Sequence, residues 1–412
     1  MFFPPPLFLN MTIERLAGEW MGRYASEGVF VLKKELVSRL KGLMKDAKGH
    51  YVGMSGKRLV ALAVYVQYWV EEEMLKDFVV KTTRSVARGS ALDRFLGYVP
   101  LGKDDEWRSK IYGFKEYGER VRVWKSLRLP VSEIEASFRG LVRERNGLAV
   151  KKGFHSYVEM AADYAKMPRD GIDGYEQKQI DVVRGINERI LDYLEKEKIV
   201  LPMNFLSELN EPCYLCLLAK KDDYKLSLVG ELDDLVSSSP ALSRVADRIR
   251  LIKGDGSSMR YVKELDCFEV KVSDRLNSLH QTTELIHELG HITGYLKFFD
   301  EGVNPSAVGK YVNEKEAVTF QRMVLSRRPE RMFLGVLGEV LWLLRRTNFE
   351  IGLYRNPDQD LSRLYALTFN RCFQGASQVS NSGWLLDRRV TMLPLTSLSQ
   401  AVAWVDVLDK WL

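Results

Sequence analysis

The spacing of apolar residues predicts a mainly helical chain. From Ile13 to about Asp77, and again from Tyr175 to Lys198, apolar side chains recur every three or four positions with charged residues between them. This period is typical of amphipathic helices that bury one face. After Val272 the same period returns, and because proline interrupts a helix, boundaries are predicted at Asn304-Pro305, Arg328-Pro329 and Asn356-Pro357.

Two short segments break this pattern. The residues of Tyr224 to Val229 and of Asp266 to Val272 alternate between apolar and polar and include β-branched side chains, which favours strands. Gly254-Asp255-Gly256 stands before the second segment and is typical of a hairpin turn. We therefore expect a mainly α protein with a small β-sheet.

Composition and charge narrow the function classes. The 412 residues are 46% hydrophobic and 11% aromatic, enough for a large core. The 61 Lys and Arg exceed the 55 Asp and Glu by 6, but both signs are interleaved throughout, so no nucleic-acid partner is expected. No segment approaches the roughly 18 to 20 uninterrupted apolar residues of a membrane span, so no membrane partner is expected either.

The cysteines and the N-terminus bear on location. Four cysteines are too few to staple a chain of this size, which favours a reducing, cytoplasmic location. Cys213 and Cys216 form a CxxC pair without a second pair nearby, and we interpret them as structural residues. The apolar start, Met1 to Leu9, contains three prolines and no basic residues, so we expect a leader without a signal function, with Met11 as an alternative start.

One motif carries chemistry. Residues 287 to 291 read HELGH. On a helix, His287 and His291 lie one turn apart on the same face, where both imidazoles can bind one Zn²⁺, while Glu288 is directed towards a water on the metal. Leu285, Leu289, Ile292 and Leu296 form an apolar stripe on the opposite face, which predicts that the helix packs on the core.

The third metal ligand has several candidates. No histidine follows His291, and His50, His155 and His280 have no recognisable ligand spacing. Catalytic zinc usually has three protein ligands, so a carboxylate on the next helix is the better candidate. Glu314 and Glu316 point about 200° apart on a helix and cannot both face the ion. We favour Glu316, because the small Ala317 beside it leaves room for the preceding helix, and keep Glu314 as the alternative.

These residues resemble a known family. The run TTELIHELGH, followed by Glu-Ala 25 positions after His291, is similar to the active site of the thimet oligopeptidase and oligoendopeptidase family of zinc peptidases. This family is related to angiotensin-converting enzyme and the thermostable carboxypeptidases. RERNGLAVKKGFHSYVEM from Arg143 and FEIGLYRNPDQDLSRLY from Phe349 resemble two further family segments. Together the three stretches span a little over half of the chain.

The resemblance implies a two-lobed helical body with a deep groove, one zinc ion per chain, and short unstructured peptides as substrates. Residues 1 to 200 would form an N-terminal helical lobe and residues 201 to 412 the catalytic lobe. By position, His287, His291 and Glu316 would be the zinc ligands and Glu288 the general base acting on a zinc-activated water. Asp266 to Val272 would be the strand that pairs with the substrate backbone.

The chain departs from the family near its C-terminus. Family members stabilise the oxyanion of the reaction with late Tyr and His side chains, but no Tyr follows Tyr365 here, and Thr391 to Val402 offers only Thr and Ser hydroxyls. Tyr354, Tyr365, Arg388 and Arg389 are candidate substitutes. A weakened or inactive peptide-binding relative of the peptidases is therefore the alternative function, and the sequence leaves cleavage position, side-chain preference and oligomeric state open.

Overall fold

The computed structural model describes the chain from residue 131 onwards, with gaps. Its described residues are 131–168, 171–198, 227–254, 257–262, 265–273, 278–303, 305, 308–373, 384, 390 and 394–412. All of them belong to one compact unit, Glu71–Leu412. The helices predicted before Asp77 and the CxxC pair lie outside the described residues, and the division into two lobes near residue 200 stays a prediction.

The described chain is mainly helical, as predicted. Before the sheet the helices are α1 (Val131–Lys151), α2 (Tyr157–Tyr164), α3 (Gly171–Lys196), α4 (Leu228–Ser238) and α5 (Pro240–Ser243). After the sheet they are α6 (Ser278–Asp300), α7 (Lys310–Leu325), α8 (Glu330–Arg355), α9 (Leu361–Cys372) and α10 (Leu398–Leu408). The breaks after α6, α7 and α8 fall at the three proline-containing pairs, so those predictions are confirmed.

Three strands form a small mixed sheet: β1 (Ile249–Gly254), β2 (Ser258–Val262) and β3 (Cys267–Ser273). Strand β3, which was predicted, lies in the centre, parallel to β1 and antiparallel to β2. Its side chains at 268, 270 and 272 are fully buried, so one face of the strand packs on the core.

Two local predictions are wrong. Of the strand predicted over Tyr224 to Val229, residues 224–226 lie outside the described residues, and the remainder is the N-cap and first turn of helix α4. The side chain of Ser227 caps that helix by accepting a hydrogen bond from Gly230 N. The glycines at 254 and 256 do not mark a hairpin, since β1 and β2 both pair with β3 and not with each other.

Helix α6 is the element on which the sheet and α7 both pack. Its predicted apolar stripe is buried, with Leu285, Leu289 and Ile292 fully enclosed and Leu296 8% exposed. The backbones of α6 and α7 come very close, since a Cβ placed on Gly290 would lie 2.7 Å from both Cα and O of Ala317. The two helices can cross at this distance only because residue 290 lacks a side chain.

The C-terminal helices support α7 from its other side. Helix α10 packs along α7. Lys315 Nζ of α7 forms an ion pair with Asp406 Oδ2 of α10 at 3.1 Å. Helix α8 is buried over most of its length. None of the described helices combines the length and hydropathy needed to cross a bilayer.

The close crossing makes Gly290 intolerant of a side chain. We expect Gly290→Ala to lower the free energy of unfolding by about 1 to 3 kcal/mol or more, because the added methyl group meets backbone that cannot rotate away. Gly140→Ala, in helix α1 with no atom within 4 Å of the added Cβ, is the matched control and should raise stability by about 0.5 to 1 kcal/mol. Denaturant titration followed by circular dichroism measures both, and equal effects would contradict this account of the crossing.

Candidate metal centre

Helices α6 and α7 bring three metal-binding side chains together. His287 and His291 lie one turn apart on α6, with their ring centroids 4.9 Å apart and the rings edge to face. Glu314, in the first turns of α7, places its Oε2 3.5 Å from Nε2 of His287. One ligand atom from each of the three residues lies within 4.8 Å of the others, and this is the group that could hold a metal ion among the residues that the structure describes.

Glu316, the ligand favoured from the sequence, lies away from this group. Its carboxylate pairs with Lys297 at 2.7 Å, and its Cβ and Cγ face Gly294. Ala317 does mark the crossing, as expected. However, Glu314 lies on the same face of α7 as Ala317, one turn earlier. Glu316 is rotated from Ala317 by about 100° around the helix axis. The geometry therefore favours the alternative candidate, Glu314.

The contacts of Glu314 fit a cation better than a hydrogen bond. Its Oε2 is buried and has no hydrogen-bond partner. The 3.5 Å to His287 Nε2 is longer than a normal N–H···O bond. Two ligand atoms of a tetrahedral zinc with bonds of about 2.0 to 2.1 Å are roughly 3.3 to 3.4 Å apart, which agrees with the observed separation. Two imidazoles and one carboxylate are also a donor set that zinc accepts.

Gln321 fixes the protonation of His287. Its Nε2 donates to the backbone oxygen of Thr283 at 3.2 Å, so its Oε1 accepts from His287 Nδ1 at 3.1 Å. Nδ1 of His287 therefore carries a proton, and when the ring is neutral the lone pair of Nε2 is directed at the Glu314 side. Gln321 is not among the site residues predicted from the sequence, although its position seven residues after Glu314 places it on the same face of α7.

The buried environment of His291 favours its neutral form. The backbone of Asn313, the residue before Glu314, acts against this effect, but it is the smallest of the causes. Burial, together with the charge of His287, lowers the pKa of His291 to about 4. His291 is therefore neutral near pH 7 and can act as a ligand without first losing a proton.

Charges within the group also set the state of the carboxylate. Burial alone would raise the pKa of Glu314, but His287 beside it, with smaller contributions from His291 and Lys310, lowers that pKa to about 2. Burial would lower the pKa of His287, but the Glu314 carboxylate raises it above its ordinary value. The carboxylate is thus ionised across the physiological pH range, as a metal ligand must be.

Glu288 has a different environment. It is 6% exposed, and burial raises its pKa to about 7, with His287 acting against this rise and Glu314 and Glu284 adding to it. The backbone of Met259, in strand β2, also acts against this rise. A carboxylate with a pKa near neutrality, one position round the helix from the ligand face, is suited to accept and return a proton.

The other histidine candidates are engaged elsewhere. His280, at the start of α6, lies 3.2 Å from the carboxylate of Glu339 on α8. The backbone N–H of His155 donates to Glu159, and its side chain is exposed near the start of α2. Neither belongs to the metal-binding group, and His50 lies outside the described residues.

Two of the expected substitutes for the late Tyr and His donors point into the core. The hydroxyl of Tyr354 accepts a hydrogen bond from Arg145 at 2.8 Å, and its ring stacks on Tyr157. The ring of Tyr365 packs against Phe349 and is 4% exposed. Arg388 and Arg389 lie outside the described residues. Within the expected C-terminal segment, the side chain of Thr396 is exposed, whereas Ser397 and Ser399 are buried.

Comparison with known proteins identifies the fold. No family model matches the chain, and no curated protein matches it. Among solved structures, PZ peptidase A with an inhibitor is similar at a TM-score of 0.52 and 12% identity, over 90% of this chain and 74% of that one. A protein described as an oligoendopeptidase F from Bacillus anthracis is similar at a TM-score of 0.53 and 12% identity, over 97% of this chain and 79% of that one. The chain thus has the fold of these mainly helical proteins, and the resemblance indicated by its sequence is confirmed at that level.

Substituting each glutamate of α7 in turn tests which of them is the third metal ligand. We expect Glu314→Gln to weaken zinc binding by at least tenfold, because the amide removes the negative charge that faces the imidazoles. Glu316→Gln, which removes only the contact with Lys297, should leave zinc affinity within about twofold. Competition titration against a chromogenic chelator measures both affinities, and the reverse order would restore Glu316 as the ligand.

Proposed function

We propose that the protein is a zinc metallopeptidase that hydrolyses peptide bonds of short unstructured peptides. The observation that carries the proposal is the group formed by His287, His291 and Glu314, with an unpaired carboxylate oxygen facing an imidazole and with Glu288 next to it. The fold shared with solved peptidases supports the same reaction class. A peptide is the proposed partner, and the cytoplasmic location stays a prediction.

Each side chain would have a separate role. His287, His291 and Glu314 would hold the ion, with Gln321 keeping the imidazole of His287 in the correct tautomer and orientation. A bound zinc supplies a Lewis acid that polarises the scissile carbonyl and lowers the pKa of water towards about 7. The carboxylate of Glu288 would take the proton from the attacking water and deliver it to the leaving amine.

Strand β2, rather than β3, is the strand proposed to bind the substrate. The family resemblance implied this role for Asp266 to Val272, but that segment forms β3, whose two edges are already occupied by β1 and β2. Strand β2 has one edge without a strand partner among the described residues, and the backbone of its Met259 lies near enough to Glu288 to influence the pKa of that carboxylate. A peptide added to this edge would be held through its backbone, which suits extended substrates of varied sequence.

One observation favours a second function, a peptide-binding protein with weak or no turnover. Tyr354 and Tyr365, the described candidates for oxyanion donors, are buried and contact other residues. Loss of one such donor costs about 10² to 10³ in rate. This alternative keeps the peptide site and the metal ligands but predicts no measurable hydrolysis.

Substitution of Glu288 separates catalysis from binding. For the wild-type protein loaded with one zinc per chain, we expect cleavage of a quenched fluorescent peptide library. Glu288→Gln should lose about 10²-fold or more in kcat while keeping its zinc, because the amide cannot accept a proton. Glu316→Gln is the control and should retain activity.

The outcomes distinguish the functions. Wild type and Glu288→Gln that are equally inert but bind peptide would support the peptide-binding alternative. A wild-type protein that cleaves peptides equally well after complete removal of the metal would contradict the proposed mechanism.

A further inference from the structure

Arg345 is a buried charged side chain that has no opposite charge beside it among the described residues. Arg345, on helix α8, is 6% exposed. Its Cζ lies 3.9 Å from the ring centroid of Tyr365 and 4.8 Å from that of Trp342, with Phe369 at 5.8 Å. Within the described part of the chain, Nε has no hydrogen-bond partner and no carboxylate lies within ion-pair distance of the guanidinium. Such a charge is costly to bury unless something compensates it.

The fold provides partners for comparable arginines. The fully buried Arg145 donates to the hydroxyl of Tyr354 at 2.8 Å, and the negative charge of Glu350 acts on the same hydroxyl. The guanidinium of Arg328 pairs with the buried carboxylate of Glu231 at 2.6 Å. Arg345 differs from both, because the described neighbours of its guanidinium are aromatic rings and not a hydroxyl or a carboxylate.

The titratable neighbours of Arg345 do not supply the missing negative charge. Burial raises the pKa of the Cys372 thiol to about 12, and the nearby charge of Arg345 opposes this rise only in part. The thiol therefore stays neutral. The indole Nε1 of Trp342 is buried and also lacks a hydrogen-bond partner. The cluster of Arg345, Trp342, Tyr365 and Phe369 thus contains a cation and unpaired N–H donors.

We propose that this cluster binds a small inorganic anion of halide size in the plane of the Arg345 guanidinium, between helices α8 and α9. Three aromatic rings lie within 6 Å of the guanidinium carbon. The N–H donors of a guanidinium point outwards in its own plane, and the Nε–H of Arg345 has no acceptor among the described residues. The rings are closely packed, since the ring centroids of Trp342 and Phe373 are 4.7 Å apart. This packing favours a small anion over a phosphate or a peptide carboxylate. This site shares no residue with the metal centre.

Thermal unfolding tests the anion site. The melting temperature of metal-free protein is measured in sodium chloride and in sodium gluconate at equal ionic strength, so that screening is constant and chloride cannot bind the metal centre. Chloride at ten times its dissociation constant should raise the Tm of wild type by about 2 °C. Arg345→Met should abolish this rise. Arg355→Met, on the same helix but in an exposed pair with Glu176, should retain it.

Bromide provides a direct test that does not depend on the folding of a variant. Crystals of the wild-type protein grown in sodium bromide should show an anomalous peak beside the guanidinium of Arg345. Absence of both the peak and a halide-specific shift in Tm would overturn the proposal and leave Arg345 compensated by rings and water. An Arg345→Met protein that responds to chloride as wild type does would overturn it as well.

Discussion

The close approach of helices α6 and α7 is the constraint on which the candidate site depends. One helix carries both imidazoles and the other carries the carboxylate, so the distance between the two backbones sets the distance between the ligand atoms. Gly290 against Ala317 permits that approach, and Gly294 accommodates the stem of Glu316 on the next turn. A side chain at either glycine would separate the helices and widen the gap between His287 and Glu314.

The three polar groups in this crossing hold one another in the states that metal binding requires. In a buried setting, each charge acts strongly on its neighbours. The result is an ionised Glu314, a neutral His291 and a His287 whose Nδ1 proton is held by Gln321. Glu288 differs because its neighbours do not reverse the effect of burial, so its pKa lies near neutrality and it is suited to proton transfer rather than to ligation.

Much of this arrangement could be predicted from local sequence, and the remainder depends on contacts between distant segments. The HELGH helix, its buried stripe, strand β3 and the proline-marked boundaries follow from short-range periodicity and turn chemistry. The choice between Glu314 and Glu316 requires knowing which face of α7 crosses Gly290. The central position of β3 depends on the order in which the strands pair. The aromatic surroundings of Arg345 depend on how α8 packs on α9. Neither is encoded in a local sequence pattern.

Anomalous diffraction at the zinc absorption edge, from crystals of the zinc-loaded protein, tests the central claim most directly. The account predicts one peak per chain, within bonding distance of His287 Nε2, of a ring nitrogen of His291 and of a carboxylate oxygen of Glu314. A peak bound by Glu316 instead, or the absence of any peak between the two histidines, would contradict it.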